Sequence, residues 1–162
     1  MFQSAGHKGS EQQMPEKGAA SDHVYQPSET SVPGGPGGVP MGHERWAIAE
    51  GYIPSWSHGP EPQFTSHETA CLLNAGDEDA HAEIRIYLED RGSAGPYTIT
   101  VPARRPKHVR FNELTDPEPI PRDTDYASVI SSDVPIVVQH TRLDSRQAES
   151  ALLSTIAYAS NE

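Results

Sequence analysis

The sequence predicts an all-β fold, an antiparallel β-sandwich of jelly-roll type, preceded by a disordered N-terminal segment. Three observations predict it. Past Trp46 the apolar residues recur with period two rather than 3.6. Clusters of Gly, Pro, Asn and Asp separate the alternating runs. Residues 1–43 hold 8 of the 13 Gly and 5 of the 15 Pro, with no Trp, Ile, Leu or Arg.

That first segment, 1–43, has Phe2 and Tyr25 as its aromatics, and Pro33-Gly-Gly-Pro-Gly-Gly-Val-Pro40 near its end. Such a composition buries too little apolar surface to offset the entropy of ordering the backbone. It reads as a tail and linker, with no GxGxxG phosphate cradle. Met41 is an alternative start to Met1. Residues 44–162 carry both Trp and nearly all the aliphatic residues, enough for one β-sandwich domain.

Within the domain Trp46–Glu50 opens the strands and Ala70–Ala75 follows. Ile84, Ile86 and Leu88 alternate with Glu83, Arg85, Tyr87 and Glu89, and Tyr97, Ile99 and Val101 alternate with Thr98 and Thr100. Val109 and Phe111 alternate with His108, Arg110 and Asn112. Tyr126–Ser131, Ile136–Leu143 and Leu152–Ala159 complete a set of about eight strands. The turns are Asn74-Ala-Gly-Asp-Glu-Asp79, Asp90-Arg-Gly-Ser-Ala-Gly-Pro96 and the Pro-rich loop Asp116-Pro-Glu-Pro-Ile-Pro121. Asp144-Ser-Arg-Gln147 is open to a second reading, a capping box leading into a helical turn over Ala148–Leu153.

Composition narrows the function. The chain of 162 residues has 12 Lys and Arg against 23 Asp and Glu, a net charge of −11. That balance argues against a dedicated nucleic-acid binder, which neutralises phosphate with a positive surface. No apolar run approaches the ~18 residues of a membrane span, and no secretory signal is visible in Met1–Ser10. Cys71 is the one cysteine, so neither an intrachain disulfide nor a cysteine zinc cluster is possible. The expectation is a cytoplasmic protein with no cofactor and no metal.

Three polar clusters are candidate sites. His67-Glu68 begins an H-E pair, but the fifth position is Cys71 in strand-like sequence, so the zinc-protease motif fails. The strand Ile136–Asp144 starts apolar on both faces and ends with His140, Arg142 and Asp144 on one. An Arg–Asp pair is the structural reading of that row. A small-ligand site is the functional one, with the guanidinium fork for an anion or hydroxyls and a His as switchable donor. Arg104-Arg-Pro-Lys-His-Val-Arg110 is the one dense basic run. It reads as a solvated turn into a strand, or as a docking patch made by Arg104, Arg105, Lys107 and Arg110 for an acidic partner or phosphate backbone. No catalytic set assembles. The nearest to one is His67, Glu68 and His140, a hydrolase or isomerase reading ranked last.

The stretches Trp46-Ala-Ile-Ala-Glu-Gly-Tyr52, Ser66-His-Glu-Thr69, Leu73-Asn-Ala-Gly-Asp-Glu-Asp-Ala-His81, Val101-Pro-Ala-Arg-Arg105, Lys107-His-Val-Arg-Phe-Asn112 and Val137-Val-Gln-His-Thr-Arg-Leu-Asp-Ser-Arg-Gln147 resemble the sensory rhodopsin transducer family. The resemblance covers about residues 45–159; residues 1–43 depart from the family's short N-terminus. It implies a cytoplasmic jelly-roll sandwich, a homotetramer, and a signalling role beside a membrane sensory rhodopsin rather than catalysis. It also implies a sugar-like ligand and a weaker link to DNA; the row of His140, Arg142 and Asp144 by itself suits a monosaccharide or a small acidic ligand. The motif residues that carry over are Trp46, Glu50, His67, Glu68, Asn74, His108, Arg110, His140, Arg142, Asp144 and Arg146. Of these, His67, Glu68, His140, Arg142, Asp144 and Arg146 are the expected ligand contacts.

Overall fold

The computed structural model describes residues 41–147, 149 and 151–160. The expected tail and linker over residues 1–43 lies outside them up to residue 40, and its last residue, His43, already begins the first strand. Eight strands follow in order: β1 His43–Tyr52, β2 His67–Asn74, β3 Ala80–Leu88, β4 Ser93–Val101, β5 Arg105–Arg110, β6 Asp125–Asp144, β7 Ala151–Ile156 and β8 Tyr158–Ser160. A single 3-10 turn, Phe111–Glu113, follows β5.

Every strand pairing is antiparallel, as the alternating pattern requires. One ladder runs β4-β3-β6-β1-β8; a second runs β5-β2-β6-β7. The connectivity is compatible with a jelly roll. The two sheets share β6, whose 20 residues replace the two strands expected at Tyr126–Ser131 and Ile136–Leu143. Its first part pairs with β1 and β3, its second with β2 and β7. Residues 133–135 pair with no strand: they fill the irregularity where the β6 partners of β1 step from Ser131 to Ile136, and there Pro135 needs no N–H to give. Asp133 meanwhile turns its side chain to the His81 backbone N–H at 2.7 Å. The chain stays extended through a segment whose Pro reads as a break.

The last expected strand divides for the complementary reason. Between β7 and β8 the Ala157 N–H donates to the Val138 carbonyl at 3.1 Å, so the chain follows β6 from one sheet to the other. Ala151–Leu153 is strand, so the helical reading fails there. Asp144 accepts the Arg146 N–H at 3.1 Å, closing a tight turn rather than capping a helix. Pro106 lies within β5 and not in a turn before it; β5 is an edge strand, where Pro is tolerated.

The core is built from the inward positions of both sheets. Trp46, Ile48, Ile84, Ile86, Tyr97 and Ile130 come from the first, and Ala70, Leu72, Val109, Ile136 and Val138 face them. Each fully buried aliphatic side chain contributes about 1.5–3 kcal/mol. Trp46 closes one end, its indole N–H shared between the His43 and Ile136 carbonyls at 2.9 and 3.0 Å. Cys71, expected in a buried strand, is half-buried on the outward face of β2, opposite His108 and Gln139.

Candidate functional site

The β2–β6 register sets Glu68 opposite Arg142 and Ala70 opposite His140. Directly opposed residues share a face, so Glu68, His140 and Arg142 all point inward. Glu68 has 0% exposure. Its Oε1 accepts the Tyr52 backbone N–H at 3.0 Å and the Arg142 Nε–H at 2.5 Å. Its Oε2 meets the Nε2 of buried His140. These three contacts give both oxygens of the buried carboxyl a hydrogen-bond partner.

Arg142 continues the chain outward. Its Nη1 donates to Glu50 Oε1 at 2.8 Å. Glu50 reaches it because β1 bulges: Ile48 opposes Ser128 and Gly51 opposes Tyr126, so Ala49 and Glu50 together face Ala127 alone. Such a bulge re-aims a side chain. The Arg142 hydrogen bond and charge hold the Glu50 carboxyl below its ordinary pKa. For Arg142, burial works to lower the pKa, but hydrogen bonds and charge from Glu50 and Glu68 outweigh it and leave it raised. Beside this network Tyr126 is buried, and burial followed by the Glu68 charge pushes its hydroxyl far up. The buried Tyr126 hydroxyl and Arg142 Nη2 have no hydrogen-bond partner among the described residues.

The residues expected to act together are distributed. Asp144 pairs with Arg146, not with Arg142, at 2.6 Å, so the expected Arg142–Asp144 pair does not form. The hydrogen bond from Arg146 lowers the Asp144 pKa. The Arg146 guanidinium also sits over the Tyr52 ring, 5.3 Å from its centroid. His67 faces away from Glu68, as adjacent strand residues must. Its Nδ1 lies 2.8 Å from both the Thr65 carbonyl oxygen and Arg110 Nη2, and the ring tautomer decides which of the two it bonds. The His67, Glu68 and His140 constellation therefore does not assemble. Among the described residues no group of three His, Cys, Asp or Glu is placed to hold a metal ion.

The basic run also divides. Arg104 pairs with Asp77 at 2.5 Å and takes φ 56° at the turn before β5. Lys107 Nζ donates to the Thr100 carbonyl at 2.9 Å. Arg110 lies away from both, against the Thr65 carbonyl and His67.

A model of the family described as Anabaena sensory rhodopsin transducer matches residues 41–159. The chain belongs to that family. A solved structure of the Anabaena sensory rhodopsin transducer is 66% identical, covering 64% of this chain and 100% of that one, with a TM-score of 0.57. The crystal structure of Thermotoga maritima 1070 is 31% identical over 74% of this chain and 97% of that one, with a TM-score of 0.66. Among curated proteins nothing matches. No helix of the described residues is long and apolar enough to cross a membrane.

In this transducer-family fold a cleft of about 240 Å³ opens beside the Glu68 network, lined by Ile48, Glu50, Arg142, Leu153 and Tyr158 among others. Glu50 and Tyr126 are the residues that reading for a site missed. Glu50 entered through the family motif alone, because a bulge leaves no mark in the alternation. Tyr126 reads in sequence as an ordinary core position.

Proposed function

We propose that the chain is a soluble signalling module that relays the state of a membrane sensory rhodopsin by protein–protein contact, as a homotetramer. The observation that carries this reading is the family match over residues 41–159. A second feature supports the assembly. Strand β7 is exposed along its whole length, with Leu152 at 72% and Ile156 at 60%. On the outer face of the β5-β2-β6-β7 sheet Leu152 lies beside the half-buried Leu143, and Ile156 lies near Leu73 and the half-buried Val137, two apolar patches separated by Thr141 and Ser154. Exposed apolar patches of this kind mark interaction surfaces. The alternatives have less behind them. A DNA-linked regulator would draw on the basic run, but Asp77 neutralises Arg104. A hydrolase would need His67 beside Glu68 and His140.

Sedimentation equilibrium tests the assembly, with a four-chain mass expected for the wild type and smaller species for Leu152→Asp with Ile156→Asp. Co-purification with a sensory rhodopsin in lipid nanodiscs, in light and dark, tests the relay. A monomer mass for the wild type would sink the assembly, and equal absence of binding in light and dark would sink the relay.

A further inference from the structure

The cleft beside Arg142 exists because β8 is short. Its first residue, Tyr158, opposes Ala47 of β1, and the residues before it pair with β6 instead, so the Ile48–Glu50 edge has no strand on that side among the described residues. Across the gap stand Leu153 and Thr155, on the inward face of β7. Ile48, Leu153, Ala157 and Tyr158 give the cleft apolar walls, and Glu50 with Arg142 gives it one charged end. The cleft measures about 240 Å³ and is open to solvent on one side. That suits a small molecule with a single polar head.

Arg142 is set up for two carboxylates of unequal standing. Nε is committed to Glu68, which has no exposure. Nη1 is held by Glu50, whose side chain is 78% exposed, and Nη2 is buried with no partner among the described residues. An ion pair with so exposed a carboxylate is weak, because water competes for both groups. A ligand carboxylate that also buried an apolar body would gain about 25 cal/mol per Å² of apolar surface removed from water, which Glu50 does not. Once Glu50 swings into solvent, Nη1 offers a charged N–H donor to a ligand carboxylate, which forms the stronger, charge-assisted kind of hydrogen bond. A polyol fits poorly, since apolar walls would leave its hydroxyls unpaired.

We propose that this cleft binds a small amphipathic carboxylate, its apolar body between β1 and β7 and its carboxylate in place of Glu50 on Arg142. The proposal is independent of the relay reading, and it differs from the sugar-like ligand that the family resemblance implies.

Calorimetric titration of the full chain with octanoate tests it, with octanol and glucose as uncharged controls. Octanoate should bind, octanol should bind at least about tenfold more weakly, and glucose should give no heat. Glu50→Gln removes the competing carboxylate from an exposed position, so it should keep the fold and tighten octanoate about threefold. Arg142→Lys, checked for folding by circular dichroism, should weaken it about tenfold or more. No octanoate binding by wild type or Glu50→Gln at about 10 mM overturns the proposal, since an affinity weaker than that is no site. So does equal affinity for octanol, or a Glu50→Gln variant that binds no tighter than wild type. Binding confined to the Leu152→Asp variant would name a second copy of the chain as the occupant and also overturn it. Mass and rhodopsin binding are read separately, so failure here leaves the relay reading where it stands.

Discussion

Glu50 and Glu68 hold the same guanidinium, that of Arg142, from opposite sides: Glu68 takes Nε at 2.5 Å and Glu50 takes Nη1 at 2.8 Å. One carboxylate is wholly buried and the other largely exposed. The network therefore spans the boundary between core and solvent. It ties three strands together, β1 through Glu50 and Tyr52, β2 through Glu68, and β6 through His140 and Arg142.

The two carboxylates should respond differently to removal. Glu68→Ala leaves Arg142 without its buried acceptor and the Tyr52 N–H and His140 without theirs. Breaking a buried pair on one side costs about 3–5 kcal/mol. Glu50→Gln should leave stability almost unchanged. Urea unfolding monitored by tryptophan fluorescence compares them. Equal, small effects from both would mean that Glu68 is not the structural anchor.

The all-β class and most strand positions were legible because one wet and one buried face impose period two, as in Ile84, Ile86 and Leu88 of β3. The continuity of β6 was not. Ser132-Asp133-Val134-Pro135 carries a residue that usually ends a ladder, and only the change of sheet makes it harmless. His140 and Arg142 were legible as an ionisable pair on one face of a strand end. Their partners were not, because Glu68 sits more than seventy residues earlier and Glu50 arrives through a bulge. Sequence proximity favoured Asp144 instead, two positions away, but the turn after β6 gives Asp144 to Arg146.

Acid should destabilise the domain through its exposed aspartates. Asp144 is held below the ordinary carboxylate range by the Arg146 hydrogen bond, and Asp133 by the backbone N–H of His81. A carboxylate with a lowered folded-state pKa contributes stability that is present above its unfolded value and is lost as pH falls through the folded value. Melting temperature should thus hold down to about pH 4 and fall below it, near the ordinary Asp pKa of ~3.9. Asp144→Asn with Asp133→Asn should flatten the fall. An unchanged acid slope in that double variant would remove both groups from the account.

Charge reversal should separate the basic residues. Arg104→Glu sets a like charge against Asp77, in a turn where its backbone already takes φ 56°. It should lower stability slightly, by less than about 1 kcal/mol, as exposed pairs do. Arg105 and Lys107 have no acidic partner among the described ion pairs. Reversing these two should leave the melting temperature unchanged and weaken binding to an acidic receptor surface or to DNA. Affinity that survives the Arg105 and Lys107 reversal, for every partner found, would reduce the segment to a solvated turn.

Gly51 ends the bulge that aims Glu50, and it does so against the face of Tyr126. A Cβ at Gly51 would lie 2.2 Å from Tyr126 Cε2 and 2.5 Å from Cζ, closer than atoms can approach. The ring has little room to yield, since it is buried and stands 6.3 Å from the Phe111 ring, centroid to centroid. Gly51→Ala should therefore cost about 1–3 kcal/mol by overpacking. Tyr126→Ala alone should cost about 3–5 kcal/mol, the usual range for deleting a large buried aromatic. In the double variant the new methyl group enters the space the ring has left, so the two costs should not add. The coupling between them should exceed about 1 kcal/mol in the direction of rescue, as for residues in direct contact. Chemical denaturation of the four proteins in the cycle measures it. Additive costs would mean that Gly51→Ala acts on the β1 backbone instead, and Glu50 would then be aimed by the bulge without help from the ring behind it.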